Sequence, residues 1–332
     1  MARYPTDATR DVIPIRCHSH NDYWRRIPLF EALHYGCIGV EADVWLRDDN
    51  LFVGHNTASL TKNRTFQSLY VNPLVELLNK QNPTTEFADT KGHGVFDTDS
   101  EQTLILLVDF KTQGDLTWLA VQAQLEPLRQ RNYLTHWNGT HTISGAVTVV
   151  GTGNTPFDLV VANTTYRDIF FDAPLDKLWN VSEAGLETQD DTQPEAGSGT
   201  GEKSGADDDK DKTALPTVKS KRQQGNNGLS HATPDDFNTS TSYYASVNFR
   251  AAVGRIWNGH LSPKQMDIIR CQIRAAKRRG LKARYWDTPS WPLSLRNHIW
   301  HVLMKEGADI LNVDDLRSAS RLDWRKLRHE WW

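Results

Sequence analysis

Five ionisable side chains stand at the ends of otherwise apolar runs: His18, Glu41, Asp43, His55 and Asp109. Glu41 and Asp43 are two residues apart in a run with strand character, so both carboxylates face the same way. Two anions side by side repel, and a hard divalent cation such as Mg2+ is a common protein solution to that repulsion. Asp109 closes another such run and is a natural third oxygen ligand. His18 and His55 are candidates for proton transfer, because imidazole titrates near working pH and acts as acid in one step and base in another. Lys111 lies two residues past Asp109 on the same side of an extended chain, where an ammonium holds a phosphate oxygen or pairs with a carboxylate. Trp286 closes a later run, as a pocket wall or as part of the core. The bland alternatives are a strand-end ion pair for Glu41 and Asp43 and structural hydrogen bonding for either histidine alone.

These groups need a scaffold that brings several strand ends together. Eight short β-rich runs alternate with helical patterns: 12–17, 38–44, 104–110, 146–150, 168–171, 243–249, 281–286 and 309–313. Helices are expected over 28–35, 116–130, 263–279 and 293–305, with Ser262 as an N-cap and Gly36, Gly280 and Gly307 at helix ends. Eight alternating strands and helices predict a closed α/β barrel of the (β/α)8 TIM type, whose chemistry sits at the C-terminal strand ends. Asp48-Asp49-Asn50 reads as a turn that returns Gly54-His55 to the mouth Asp43 has just left.

The whole of 1–332 reads as a single barrel, with residues 182–236 as a disordered insertion between the fifth and sixth strands. That segment is Gly-, Ser-, Asp- and Lys-rich and has almost no large apolar side chain to offset the entropy of ordering. A net charge of −3 gives no pull toward nucleic acid. No run of about 18 apolar residues or secretory signal is visible, which predicts a soluble chain. Five sequons, at Asn63, Asn138, Asn163, Asn180 and Asn238, keep a secretory form in view. The cysteines Cys17, Cys37 and Cys271 lie in or beside apolar stretches and read as buried thiols. Residues 317–332 mix Arg and Lys with Trp324, Trp331 and Trp332, the pattern of a docked terminal helix or of a peripheral membrane contact.

The order His18, Glu41-Ala42-Asp43, Gly54-His55 and Leu106-Leu107-Val108-Asp109-Phe110-Lys111 resembles the phospholipase C-like phosphodiesterase superfamily. That superfamily includes glycerophosphodiester phosphodiesterases and spider-venom type phospholipases D. The runs His18 to Tyr23, Val53-Gly54-His55-Asn56 and Arg284-Tyr285-Trp286-Asp287 are most similar to the fungal altered inheritance of mitochondria protein 6 family. The resemblance covers nearly the whole chain outside the insertion. It implies a β/α barrel, Mg2+ or Ca2+ on Glu41, Asp43 and Asp109, catalysis by His18 and His55 on a phospholipid or glycerophosphodiester, and substrate contacts from Lys111 and Trp286. The Pro-Glu-Asn-Thr segment of glycerophosphodiesterases is absent, as are the cysteines that follow the second histidine in the venom enzymes, so the substrate stays open. Two rivals remain: a Zn2+ amidohydrolase-like barrel using His18 and His20, and a catalytically silent barrel that binds or scaffolds.

Overall fold

A computed structural model describes residues 8–86, 92–179 and 232–324. The chain begins with β1 (Ile15–Ser19), α1 (Phe30–His34), β2 (Cys37–Arg47), β3 (Asn50–Val53) and α2 (Asn72–Gln81). It continues with β4 (Leu104–Phe110), α3 (Gly114–Gln124), α4 (Glu126–Arg129), the short ribbon β5 (His136–Trp137) and β6 (Thr142–Ile143), and β7 (Val147–Gly153). Then come α5 (Phe157–Val161), β8 (Ile169–Pro174), β9 (Ser242–Asn248), α6 (Phe249–Val253) and α7 (Pro263–Arg278). The last elements are β10 (Lys282–Trp286), α8 (Leu293–Lys305), β11 (Ile310–Val313) and α9 (Leu316–Ser320).

Among the described residues eight strands pair in parallel in the order β1-β11-β10-β9-β8-β7-β4-β2, and β2 pairs back onto β1 to close the barrel. This is the expected (β/α)8 architecture. Strands such as β4 are buried along their whole length, because one face packs inside the barrel and the other under helices. α7 starts where sequence placed it: the Ser262 and Gln265 side chains each accept from the other's backbone N–H, and Pro263 occupies the first turn. Gly36, Gly280 and Gly307 have φ of +80°, +70° and +87°, the left-handed geometry expected at helix ends.

Several expectations need correction. The first strand runs to Ser19, so His18 lies inside it. The first helix begins at Phe30, two residues beyond Pro28. The single helix expected over 116–130 is two, since Pro127 has no N–H to continue the ladder and instead sits in the first turn of α4. The helix α2 was not anticipated. Cys17 and Cys37 are not thiols: they form a disulfide between β1 and β2, with Cα atoms 4.7 Å apart. Sequence gave no view of the pairing that brings them together. Cys271 is the buried free thiol expected.

The polar insertion connects β8 to β9, the fifth and sixth barrel strands, and lies outside the described residues except for 232–236, where Pro234–Asp236 form a short 3-10 turn. Within the C-terminal stretch, Trp324 packs on the barrel and its indole N–H donates to the Ala319 carbonyl at 3.0 Å. Residues 325–332 lie outside the described part.

Candidate active site

Parallel pairing of β2 with β4 sets Asp43 directly beside Asp109, and Glu41 lies one inward position below Asp43. The three carboxylates are buried, and one oxygen from each falls within 4.8 Å of the others. Oδ1 of Asp43 is buried with no hydrogen-bond partner. Lys111 bridges two of these acids, its Nζ 2.5 Å from Asp109 Oδ2 and 3.0 Å from Asp43 Oδ2. Its pKa is raised: burial works against the charge, but Asp109 and Asp43 outweigh it. Burial pushes Asp109 up to about 6 even though Lys111 pulls the other way. Glu41 is held well below the usual carboxylate range; burial opposes this, and His20, His18 and Arg284 together win.

His18 comes from β1 and is fully buried. It fits because Gly39, its partner across β1 and β2, has no side chain, and a Cβ there would run into Nδ1 of His18. Gly153, at φ +67°, clears the same kind of space beside Asp109. Tyr244 Oη lies 3.3 Å from His18 Nδ1, while Nε2 is 3.8 Å from Glu41 Oε2 and makes no hydrogen bond. Burial, with Arg284 adding to it, lowers the pKa of His18 to about 4, so the ring is neutral at pH 7.

His55 arrives by the predicted turn. Asp48 and Asp49 both have positive φ, β3 pairs antiparallel to β2, and Gly54 N–H donates to the Asp43 carbonyl at 3.2 Å. The Trp45 indole N–H donates to the Gly54 carbonyl at 2.7 Å and locks this return. His55 Nδ1 then sits 3.2 Å from Tyr23 Oη and 3.7 Å from Asp43 Oδ2, with the Trp24 ring 4.9 Å from its own. Five residues, from β1, β2, β4 and the segment after β3, thus meet at one mouth, together with Lys111. Trp286 lies at the end of β10, half-buried, on the same inward face as Arg284 two residues before it.

Three residues at this site had no role assigned from sequence. Tyr23 is buried, donates to Asp43 Oδ2 at 2.7 Å and has the Asn21 side-chain oxygen at 2.5 Å. Arg284 is fully buried inside the barrel, 3.6 Å from Glu41 Oε2 and 3.9 Å from Asp172 Oδ2, with Asn312 Oδ1 accepting from its Nε at 3.0 Å. Asp172, pushed up to about 6 by burial, belongs to the same cluster. An Arg in a β run flanked by Ala283 and Tyr285 was the available signal for Arg284; Tyr23 entered only as the end of the run that carries the family resemblance, with no role attached. His20 approaches Glu41 at 4.0 Å, but its Nδ1 is engaged by Asp314 at 2.8 Å. Its pKa is raised, because Glu41 and Asp314 overcome the effect of burial.

The donor set fits a hard divalent cation: three carboxylates within reach of one point, one with an unpartnered oxygen. It fits zinc on His18 and His20 poorly, since the strand ends of β8 and β9 add no histidine to the pair.

Residues 6–172 match the model of the AIM6-like phosphodiesterase domain. The chain is 40% identical over 96% of its length to an altered inheritance of mitochondria protein 6 homolog of Arthroderma benhamiae, covering 86% of that protein. It is 33% identical to the altered inheritance of mitochondria protein 6 of Eremothecium gossypii, with 94% of this chain and 71% of that one aligned. The Saccharomyces cerevisiae protein of the same name is 30% identical, with 94% and 72% aligned. No solved structure matches. With half the chain matched by the domain model and nearly all of it by these relatives, this protein belongs to the AIM6-like phosphodiesterase family.

Proposed function

We propose that this protein is a metal-dependent phosphoric diester hydrolase acting on a glycerophosphodiester or on a phospholipid or lysophospholipid headgroup. The observation that carries this reading is the carboxylate trio Glu41, Asp43 and Asp109 with His18 and His55 set against its two ends. A phosphodiester resists attack because its anionic oxygens repel nucleophiles. Mg2+ or Ca2+ held by the three carboxylates would withdraw that charge. Lys111 contacts Oδ2 of Asp43 and of Asp109 and would exchange them for a phosphate oxygen once the carboxylates are otherwise neutralised. His18, neutral and with Nε2 unpaired, accepts the proton of the attacking hydroxyl, which belongs to water or to the substrate itself. His55, oriented through Nδ1 by Tyr23 and Asp43, returns a proton to the leaving alcohol. Trp286 walls the pocket beside the reacting phosphate.

The test is phosphorus NMR on glycerophosphodiesters, lysophospholipids and inositol phospholipids, in Mg2+ or Ca2+ and then in chelator, beside His18→Ala. Product that needs metal and His18 supports the reading, and its shift tells whether a cyclic phosphate forms. No turnover across the panel overturns it in favour of a binding barrel, and activity that follows zinc content overturns the metal assignment.

A further inference from the structure

Exposed tryptophan is unevenly placed on this molecule. Among the described residues Trp24, Trp257 and Trp291 are 59%, 72% and 75% exposed. Trp24 follows β1, Trp257 lies between β9 and α7, and Trp291 lies between β10 and α8, so all three stand on connections that leave C-terminal strand ends. These are the loops that surround His18 and the carboxylates. Exposed Ile27 lies on the first of these connections, and exposed Leu293 opens α8 where the third ends. A large indole left in water gives up favourable burial, and a group of them on one face marks a surface that meets something apolar.

On the side of that face that carries the tryptophans the charges identify its partner, while exposed Asp48, Asp49 and Asp115 stand on the connections after β2 and β4. The connection from Phe249 to Ser262 holds Arg250, Arg255, Ile256 and Trp257 and no acidic residue. Asp22, the acid on the β1 connection, is buried, while Arg26 beside Trp24 is exposed. The acids of the β10 and β11 connections are paired: Asp287 with Arg250 at 3.5 Å, Asp315 with Arg296 at 2.8 Å, and Asp314 with His20 at 2.8 Å. Between the loops carrying Trp257 and Trp291 opens a cavity of about 340 Å³. Its walls include Phe249, Ile256, Pro289 and Leu295, together with Arg250, Arg255 and Asp287. Indoles beside arginines, over an apolar cavity, match the boundary of a bilayer, where amphipathic rings sit at headgroup level and cations meet phosphate. No helix among the described residues is long and apolar enough to cross a membrane.

We propose that the barrel mouth docks on an anionic lipid surface through Trp257 and Trp291, with Arg255 facing the headgroups and Arg250 offsetting Asp287 beside it. The catalytic consequence, that substrate is taken from the bilayer, rests on the phosphodiesterase reading; the docking itself does not. Full-length protein is spun with phosphatidylcholine vesicles, with and without phosphatidylserine, at low and high salt. Wild type is expected to sediment with the anionic vesicles and to be released by salt. The W257A/W291A variant should lose partition by about tenfold or more, and R250Q/R255Q should lose the preference for phosphatidylserine, both with unchanged circular dichroism and melting. Wild type that stays in the supernatant, or a tryptophan variant that sediments as wild type does, overturns the docking. Hydrolysis of a soluble glycerophosphodiester should be equal in wild type and W257A/W291A, and hydrolysis in vesicles should fall in the variant. Sedimentation without hydrolysis of any substrate overturns the phosphodiesterase reading and supports the docking, whereas hydrolysis without sedimentation does the reverse.

Discussion

The barrel interior has two polar arcs of different character. On β1, β2 and β4 stand His18, Glu41, Asp43 and Asp109; across from them β8, β9, β10 and β11 contribute Asp172, Tyr244, Arg284 and Asn312. Both are buried. In the first, acids outnumber cations; both arcs leave buried polar atoms without a hydrogen bond, His18 Nε2 and Asp43 Oδ1 in the first and Asp172 Oδ1 and Arg284 Nη2 in the second. The second turns its donors inward: Arg284 reaches Asn312, Ser246 and Asp172 and extends to Glu41 in the opposite arc. The clustered carboxylates of the first arc are what an ion can engage, and the single guanidinium that spans the second arc and reaches Glu41 ties the strands together. The difference separates side chains that react from side chains that position.

That division makes the two arcs fail differently when they are cut. His18→Ala should lower turnover by up to about 10⁴-fold, the range of a lost general base, while leaving thermal melting close to wild type. A large fall in melting temperature would assign His18 a structural role instead. Arg284→Met should show the opposite balance. Removing one partner of a buried ion pair strands Glu41 and Asp172, at a cost of roughly 3 to 5 kcal/mol in denaturant unfolding. An R284M variant as stable as wild type would erase the distinction between the arcs.

The disulfide sharpens the comparison within the first arc. Cys17 precedes His18, and Cys37 lies two residues before Gly39, the residue that gives His18 its space. A cross-link between positions 20 residues apart in sequence contributes about 3 kcal/mol by restricting the unfolded chain. Replacing both cysteines by Ala should therefore shift the unfolding midpoint by that amount. If turnover survives in the still-folded variant, β-sheet pairing alone places His18.

Much of the first arc was legible because charged residues inside apolar strand runs are conspicuous, and period-two alternation told which of them share a face. The turn at Asp48 and Asp49 was legible from its residue types. What sequence did not reveal depends on register: that Asp43 sits beside Asp109, that Gly39 sits across from His18, and that Cys17 meets Cys37. The role of Tyr23 was hidden for another reason. It reaches Asp43 from an irregular segment whose local pattern does not determine where the side chain points. Arg284 was visible but mute, since an Arg in a strand says nothing about which acids lie across the barrel.

The smallest expected effect probes the second arc through pH. Burial pushes Asp172 up to about 6 from an ordinary 3.8, although Arg284 favours the charged form. A raised folded-state pKa means that the native state holds the proton more tightly than the unfolded chain does. The resulting stability is present in full below pH 3.8 and is lost as pH rises through about 6. The full shift corresponds to at most on the order of 3 kcal/mol, and Asp172→Asn should remove that slope. Asp22 and Asp109 are raised in the same direction, so wild type and variant must be compared at each pH for the contribution of Asp172 to be isolated. Unfolding free energies that agree near pH 4 and separate as pH rises through about 6, with wild type losing stability, would place a neutral acid beside Arg284 at the acid end. Parallel profiles would place an ionised one there, and the second arc would then be a charged pair in its own right, drawing part of the guanidinium away from Glu41.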